Sequence, residues 1–189
     1  IPVMAKLTPN VAEIAPIAVA AEKAGADAVS AIDTVRCLIG VDLERAEPLL
    51  PVFGGYSGPG IKPIALRCVA EIALAVKIPV SGVGGIMSWR DAAEMLMLGA
   101  TTVQLCTAIM WRGYKAITSV VRGLREFMEE RGYSSSRELV GRALGKLIPS
   151  ERFYKMPVKP IKARVDKNLC NGCGICEEVC FYDAARVSG

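Results

Sequence analysis

The sequence predicts an α/β fold, the C-terminal half of a (β/α)8 TIM barrel followed by a small cysteine-rich segment. Three observations support this. Short apolar strands alternate with helices four times between Pro2 and Arg131, an order that builds a parallel sheet covered by helices through right-handed crossovers. The third and fourth strands end in "GVGGI" from Gly82 and "QLCTA" from Gln104, as the two phosphate-binding loops that close such a barrel do. Finally, Cys170, Cys173, Cys176 and Cys180 stand in the order C-x2-C-x2-C-x3-C.

Pro2 to Lys6 reads as a short buried strand. Val11 to Ala24 then places Ile14, Ile17, Ala18, Ala21 and Ala24 at helical spacing before Gly25 stops the helix. The same βα unit recurs as Ala28–Ile32 with a helix from about Pro63 to Val76, as Pro79–Val83 with Ser88–Leu98, and as Thr102–Cys106 with Trp111–Arg131. A doubly wound sheet is the alternative arrangement, and the paired closing loops favour the barrel, with these as strands five to eight. Half a barrel would leave its inner face and edge strands open to water. The chain is therefore expected to begin mid-domain at Ile1, with four βα units preceding it.

A further helix is expected over Ser134–Leu144, opened by "SSSRE" with Glu138 as capping partner. The expected domains are a barrel half at 1–147, a proline- and lysine-bearing linker at 148–165 and a cysteine segment at 166–189. That last segment is too small to own a core and would be held by metal–thiolate bonds.

The chain has 189 residues, 52% apolar and 22% charged, enough to bury a core. Its formal +4 comes from scattered basic residues, and aromatics make up only 6%, so no nucleic-acid stripe emerges. Apolar runs are broken by Lys77, Pro79 and glycines, and nothing reaches membrane-spanning length. Seven cysteines, an odd number, indicate a reducing, cytoplasmic setting. Histidine is absent, so proton transfer must come from another group.

Two-residue gaps let three thiolates converge on neighbouring iron atoms, and Gly172 and Gly174 let the backbone curl, so the cysteine run reads as a ferredoxin-like 4Fe-4S segment. A zinc site would call for two separated pairs. Phe181 stands where proline usually follows, and Cys180 could close this cluster or ligate another. Gly82, Gly84 and Gly85 do not match G-x-G-x-x-G. They instead let bare N–H groups approach a phosphate, helped by the helix beginning near Ser88, or they only make a tight turn. Cys106 and Thr107 would face the same phosphate, though Cys106 taken alone reads as a buried thiol. Lys6, at the end of an apolar strand, suits the anionic N1 and O2 region of a reduced flavin, or it snorkels to the barrel rim.

"AKLTPN" from Ala5, "AIDTV" from Ala31, "GGYSGPGIKPIALR" from Gly54, "SGVGGI" from Ser81 and "VQLCTAI" from Val103 together resemble, in order and spacing, successive loops of the flavin domain of the dihydropyrimidine dehydrogenase family, relatives of dihydroorotate dehydrogenase. The cysteine motif resembles the ferredoxin segment that follows the barrel in its bacterial NAD-dependent subunit. The resemblance implies that Lys6 contacts the FMN isoalloxazine, Gly58 lies against the cofactor, Val83, Gly84 and Gly85 cradle its phosphate, and Cys106 with Thr107 completes that pocket. Asp33 and Thr34 match the pair that grips the pyrimidine. The family usually has Asn-Thr there, so Asp33 removes an N–H donor and adds charge. It could select a substrate with more donors, or be tolerated as a solvated loop carboxylate. The family's proton-donating cysteine would precede Ile1.

The implied function is reduction of the C5–C6 double bond of uracil or thymine, or the reverse, through FMN and iron–sulfur clusters. Electrons would come from NAD(P)H through an FAD- and iron–sulfur-bearing partner subunit or domain, in a homo- or hetero-oligomer. Oxidation of dihydroorotate or another cyclic amide is the enzymatic alternative. A binding and electron-relay fragment without turnover is the third.

Overall fold

A computed structural model describes residues 1–157, 164–181 and 184. Parts of the expected linker (158–163) and of the cysteine segment (182–183, 185–189) lie outside the described residues. The chain divides into two compact units, Ile1–Leu147 and Ile148–Gly189.

The first unit is built on a four-stranded parallel sheet. Its elements run β1 (Met4–Leu7), α1 (Ala15–Lys23), β2 (Ala28–Ala31), then four short strands β3 (Val35–Cys37), β4 (Val41–Asp42), β5 (Glu47–Pro48) and β6 (Gly54–Tyr56). A 3-10 turn at Pro59–Ile61 leads into α2 (Lys62–Ala75), followed by β7 (Val80–Val83), α3 (Trp89–Met97), β8 (Thr102–Gln104), α4 (Thr107–Arg112) and α5 (Lys115–Glu130). The sheet order is β1-β2-β7-β8, every pairing parallel. This is the expected α/β alternation with crossover helices.

Strand alternation gives the sheet two unlike faces. Leu7, Val29, Ala31 and Val80 face the helices and pack with Ile14, Ala18, Cys68, Val69, Ile72 and Met95 into one core. Gly82 belongs to this face. A Cβ there would come within 3.1 Å of Ala100 Cβ and 3.2 Å of Met95 Sδ, so a bare backbone lets α3 and the Ala100 turn close onto the sheet. The other face carries a polar row in register: Lys6 opposite Ser30, Ser30 opposite Ser81, Ser81 opposite Thr102. Thr102 Oγ1 donates to Ser81 Oγ at 2.8 Å, and Gln104 Nε2 donates to Ser30 Oγ (2.9 Å) and Ser81 Oγ (2.8 Å). Ser30 and Ser81 are buried, and this network satisfies them.

Several expectations are corrected. The sequence reading placed no strand between Ile32 and Pro63, yet β3 pairs with β6 and β4 with β5, both antiparallel. Strands of two or three residues, one made of Gly54-Gly55-Tyr56, carry too few side chains to show a period. The helix expected over Trp111–Arg131 is two helices, because Gly113 sits at φ 67° and turns the chain between α4 and α5. Ser134–Leu144 is not an α-helix. The Ser135–Glu138 capping box forms as expected, but it opens a 3-10 turn at Ser136–Leu139, and Gly141 at φ 74° prevents continuation before a second 3-10 turn at Leu144–Lys146.

In the second unit a short helix α6 (Ser150–Phe153) begins after Pro149, where an irregular linker was expected. Its Glu151 in the first turn and Arg152 in the last suit the helix dipole. The cysteine segment contains one turn of helix, α7 (Ile175–Glu178). No helix among the described residues is long and apolar enough to cross a membrane.

Helices α3 and α5 pack through Trp89, which stacks on Phe127 with ring centroids 5.2 Å apart. Gly123 on α5 lies beneath the indole: a Cβ there would stand 3.0 Å from Trp89 Cβ and closer still to its ring. Helix propensity alone would make Gly123→Ala stabilising by about 1 kcal/mol, while overpacking costs about 1–3 kcal/mol. Gly123→Ala is therefore expected to lower the urea midpoint with an unchanged slope; a raised midpoint would show that Trp89 yields freely.

Candidate functional site

The C-terminal ends of β1, β2, β7 and β8 open on one cleft with a cavity of about 120 Å³. Lys6 comes from β1, Ile32, Asp33 and Thr34 from the loop after β2, Ser57, Gly58 and Ile61 from the turn before α2, Val83 to Met87 from the loop after β7, and Gln104, Cys106 and Thr107 from the end of β8. Thus Lys6, Gly58, Val83, Gly84, Gly85, Cys106, Thr107, Asp33 and Thr34, selected in the sequence from separate loops, all line the same cavity.

Strand ends are tied to one another at the cleft floor. Asp33 N–H donates to Leu7 O at 2.9 Å and Ile32 N–H to Val83 O at 2.8 Å, carrying the ladder one residue beyond the strands. Asn10 fastens the rim: its Nδ2 donates to Thr34 O (3.0 Å) and Thr8 Oγ1 (2.8 Å), and its Oδ1 accepts Arg36 N–H (2.8 Å). Lys6 Nζ lies 3.6 Å from Asp33 Oδ1, each side chain about half exposed.

The glycine pair forms a cradle that side chains would fill. At Gly84 (φ 121°) a Cβ would press to 3.0 Å from Ala65 Cβ and 3.2 Å from Ile32 Cγ1, and at Gly85 (φ 77°) it would stand 2.8 Å from the Lys62 backbone nitrogen. Both are also in backbone regions costly for L side chains. Among the described residues, the N–H groups of Gly84, Gly85 and Ile86 are given to no acceptor. The first-turn N–H groups of α4, at Thr107 and Ala108, have no intrahelical partner by construction. Thr107 Oγ1 donates to Ser57 Oγ at 3.1 Å, and at Gly58 (φ 87°) a Cβ would meet Thr107 Cγ2 at 3.4 Å. A phosphate with its oxygens among bare amides and small hydroxyls fits this donor set.

Ahead of α3, the loop that follows the cradle is tied back by Asp91 on the helix's own first turn. Asp91 Oδ2 accepts Met87 N–H (3.0 Å), Ser88 N–H (2.7 Å) and Ser88 Oγ (2.8 Å). Its Oδ1 receives Lys62 Nζ at 2.6 Å, and Lys62 also reaches Glu94 at 2.9 Å. Burial pushes the Asp91 carboxyl up, but the hydrogen bonds from Lys62, Ser88 and the Met87 and Ser88 amides outweigh it and hold the group below the ordinary range. Hydrogen bonds to Asp91 and Glu94 raise Lys62 correspondingly.

Cys106, which alone reads as a buried thiol, is exposed at the cleft. The buried one is Cys68, whose thiol burial pushes up, away from reactivity. Sequence reading missed Ser57, Gln104 and the apolar wall of Ile32, Ile61, Ile86 and Met87. Ser57 and Gln104 stand inside quoted motifs, beside Gly58 and at the head of "QLCTA". Ser88-x-x-Asp91 was a capping signal; Lys62 had none.

In the second unit the four sulfurs of Cys170, Cys173, Cys176 and Cys180 are not gathered: among the described residues no group of three or more His, Cys, Asp or Glu side chains is placed to hold a metal. This short segment has no core of its own to draw them together; Cys170, Cys173 and Cys176 are exposed. The donor chemistry still fits a cluster. None of the four is in a disulfide, Gly172 (φ 71°) and Gly174 (φ 77°) turn the chain inside the gaps, Asn171 Oδ1 accepts Cys173 N–H at 3.2 Å, and Cys180 Sγ accepts Ala184 N–H at 3.1 Å. Amides donating to sulfur are a recognised influence on such clusters.

Residues 1–128 match the family model described as dihydroorotate dehydrogenase, and residues 163–186 the one described as 4Fe-4S binding domain. The catalytic subunit of dihydroorotate dehydrogenase B (NAD(+)) from Pyrococcus abyssi is 51% identical over 144 residues, 76% of this chain and 48% of that protein. Its counterpart from Methanothermobacter thermautotrophicus is 46% identical over 144 residues, 76% of this chain and 48% of that protein. The NAD-dependent dihydropyrimidine dehydrogenase subunit PreA of Escherichia coli K12 is 36% identical over 189 residues, 96% of this chain and 46% of that protein. The chain spans about half the length of the curated relatives it matches.

Because the folded Asp91 carboxyl is held below its unfolded value, its contribution is complete above the ordinary carboxylate range and is lost as pH falls through that range to the folded value. Lys62, raised in the fold, loses its share only as pH climbs above the ordinary lysine range. Asp91→Asn should cost about 1–3 kcal/mol at neutral pH and flatten the acid limb. Denaturant titrations across pH measure both; an acid limb superimposable on that of the wild type would remove Asp91 from this role.

Proposed function

Because this chain belongs to the dihydroorotate dehydrogenase family, an FMN-binding oxidoreductase family, and carries a 4Fe-4S binding domain, we propose that it is part of an enzyme that reduces the C5–C6 double bond of uracil or thymine, or runs the reverse oxidation. The observation that carries this reading is the convergence of Lys6, Asp33, Thr34, Gly58, Val83, Gly84, Gly85, Cys106 and Thr107 on one cleft at the strand ends. The relative that matches across both the barrel portion and the cysteine segment, over 96% of this chain, is named a dihydropyrimidine dehydrogenase subunit.

When bound, FMN supplies hydride transfer to or from one carbon of the substrate pair. The chain's own residues do the rest. The amides of Gly84, Gly85 and Ile86 and the first turn of α4 would bind the phosphate, with the Ser57–Thr107 pair supplying hydroxyls. Ile32, Ile61 and Ile86 exclude water from the wall. Lys6 would place its ammonium at the N1 and O2 end of the ring, where negative charge gathers on reduction. Asp33 and Thr34 would contact the pyrimidine. Cys170, Cys173, Cys176 and Cys180 would hold the 4Fe-4S cluster that passes electrons from an NAD(P)H-oxidising partner subunit or domain.

Dihydroorotate oxidation is the second reading, favoured by the 51% identity to a catalytic subunit of dihydroorotate dehydrogenase B.

The complete polypeptide carrying these residues, isolated anaerobically with its partner, should show flavin and iron–sulfur absorbance and reduce uracil with NADH. Turnover of dihydroorotate without any turnover of uracil would reverse the order of the two readings. Lys6→Met should retain FMN while lowering turnover about 10²-fold, the size of a lost charge-stabilising donor; unchanged turnover would place Lys6 at the rim only.

A further inference from the structure

We infer that Asp33 is a charge filter that admits a neutral ring with N–H donors and rejects the same ring bearing a carboxylate. The inference rests on the pyrimidine reading above and deepens it by naming the substrate class.

Among the described residues two charged side chains line the cleft, Lys6 and Asp33, and they face each other at 3.6 Å. The Lys6 ammonium is therefore already paired. Asp33 is also fixed in place. Its N–H is held by Leu7 O at 2.9 Å, and its Oδ1 accepts Thr34 N–H at 2.8 Å while facing Lys6. The half-exposed Asp33 carboxylate offers acceptors only, so an entering ligand meets it favourably through a donor and unfavourably through an anion.

A cyclic ureide such as uracil has such donors in its ring N–H groups and brings no charge. A carboxylated pyrimidine such as orotate has the same ring, but its anion would meet the Asp33 carboxylate with Lys6 already committed. Like charges brought close in a partly desolvated cleft repel. The other polar side chains that line the cleft among the described residues, Thr34, Ser57, Gln104 and Thr107, are uncharged and do not compensate a second anion.

Calorimetric titration of uracil and of orotate into the complete, FMN-loaded polypeptide tests this without turnover. The wild type should bind uracil at least 10-fold more tightly than orotate. Asp33→Asn should shift that ratio toward orotate by 10-fold or more, and Asp33→Glu, which keeps the charge, should preserve the preference for uracil. A ratio unchanged in Asp33→Asn overturns the inference, as does failure of both ligands to bind wild type and variants alike. If the ratio shifts as expected but uracil is not reduced by the wild type, Asp33 keeps its role and the uracil-reductase reading falls.

Discussion

The carboxylate of Asp91 joins the helix layer to the phosphate cradle. One oxygen gathers the Met87 and Ser88 amides and the Ser88 hydroxyl, closing the loop that follows β7; the other receives Lys62 from the first turn of α2. Gly85 is wedged against that same first turn, with no room for a side chain between its Cα and the Lys62 backbone. The path of Gly84-Gly85-Ile86 is therefore held from both ends, by the cap ahead of it and the helix beneath it. Its amides remain uncommitted because the neighbouring donors are satisfied elsewhere. A site preorganised in this way binds an anion without first rearranging the loop, and that lowers the ordering cost of binding.

The βα alternation was legible because each helix and parallel strand buries one continuous apolar surface, and burial imposes a period. Ile14, Ala18 and Ala21 show it on α1, and Val29 with Ala31 on β2. What failed to show was set by backbone geometry or by distant partners. Gly113 splits one apolar run into α4 and α5 by taking φ 67°, and nothing in that run's periodicity marks the break. The β3–β6 pair joins residues far apart in the chain, from Val35 to Tyr56, and the two-residue strands β4 and β5 are too short to alternate. In the cleft, motif residues were found because glycine next to a strand end has few other uses. Lys62 and Asn10 were not, since each acts through a partner some 24 to 29 positions away, Thr34 and Asp91.

The inner face of the sheet explains why the cleft keeps its shape. A row of Lys6, Ser30, Ser81 and Thr102 crosses all four strands, and Gln104 clasps the two buried serines with one amide nitrogen. Fully satisfied polar networks fix one arrangement more strictly than interchangeable apolar contacts do, since a slip of one residue would leave buried hydroxyls unpaired. Lys6 stands at one end of this row and Gln104 also lines the cavity, so the strand register is transmitted directly to the positions of cleft side chains.

Identity values alone do not choose between the two activities named among the relatives. The 51% match covers 144 residues, 76% of this chain, and a common sheet, its helices, a glycine cradle and a cap would serve either activity. The 36% match extends over the cysteine segment as well, and so speaks to how electrons arrive rather than to which ring is reduced. Substrate choice is written in very few side chains, because a dihydroorotate differs from a simple dihydropyrimidine by one carboxylate. The discriminating property is therefore local charge. A cleft in which, among the described residues, the one cation already faces an anion bears on that choice more directly than 15 points of identity between the two matches.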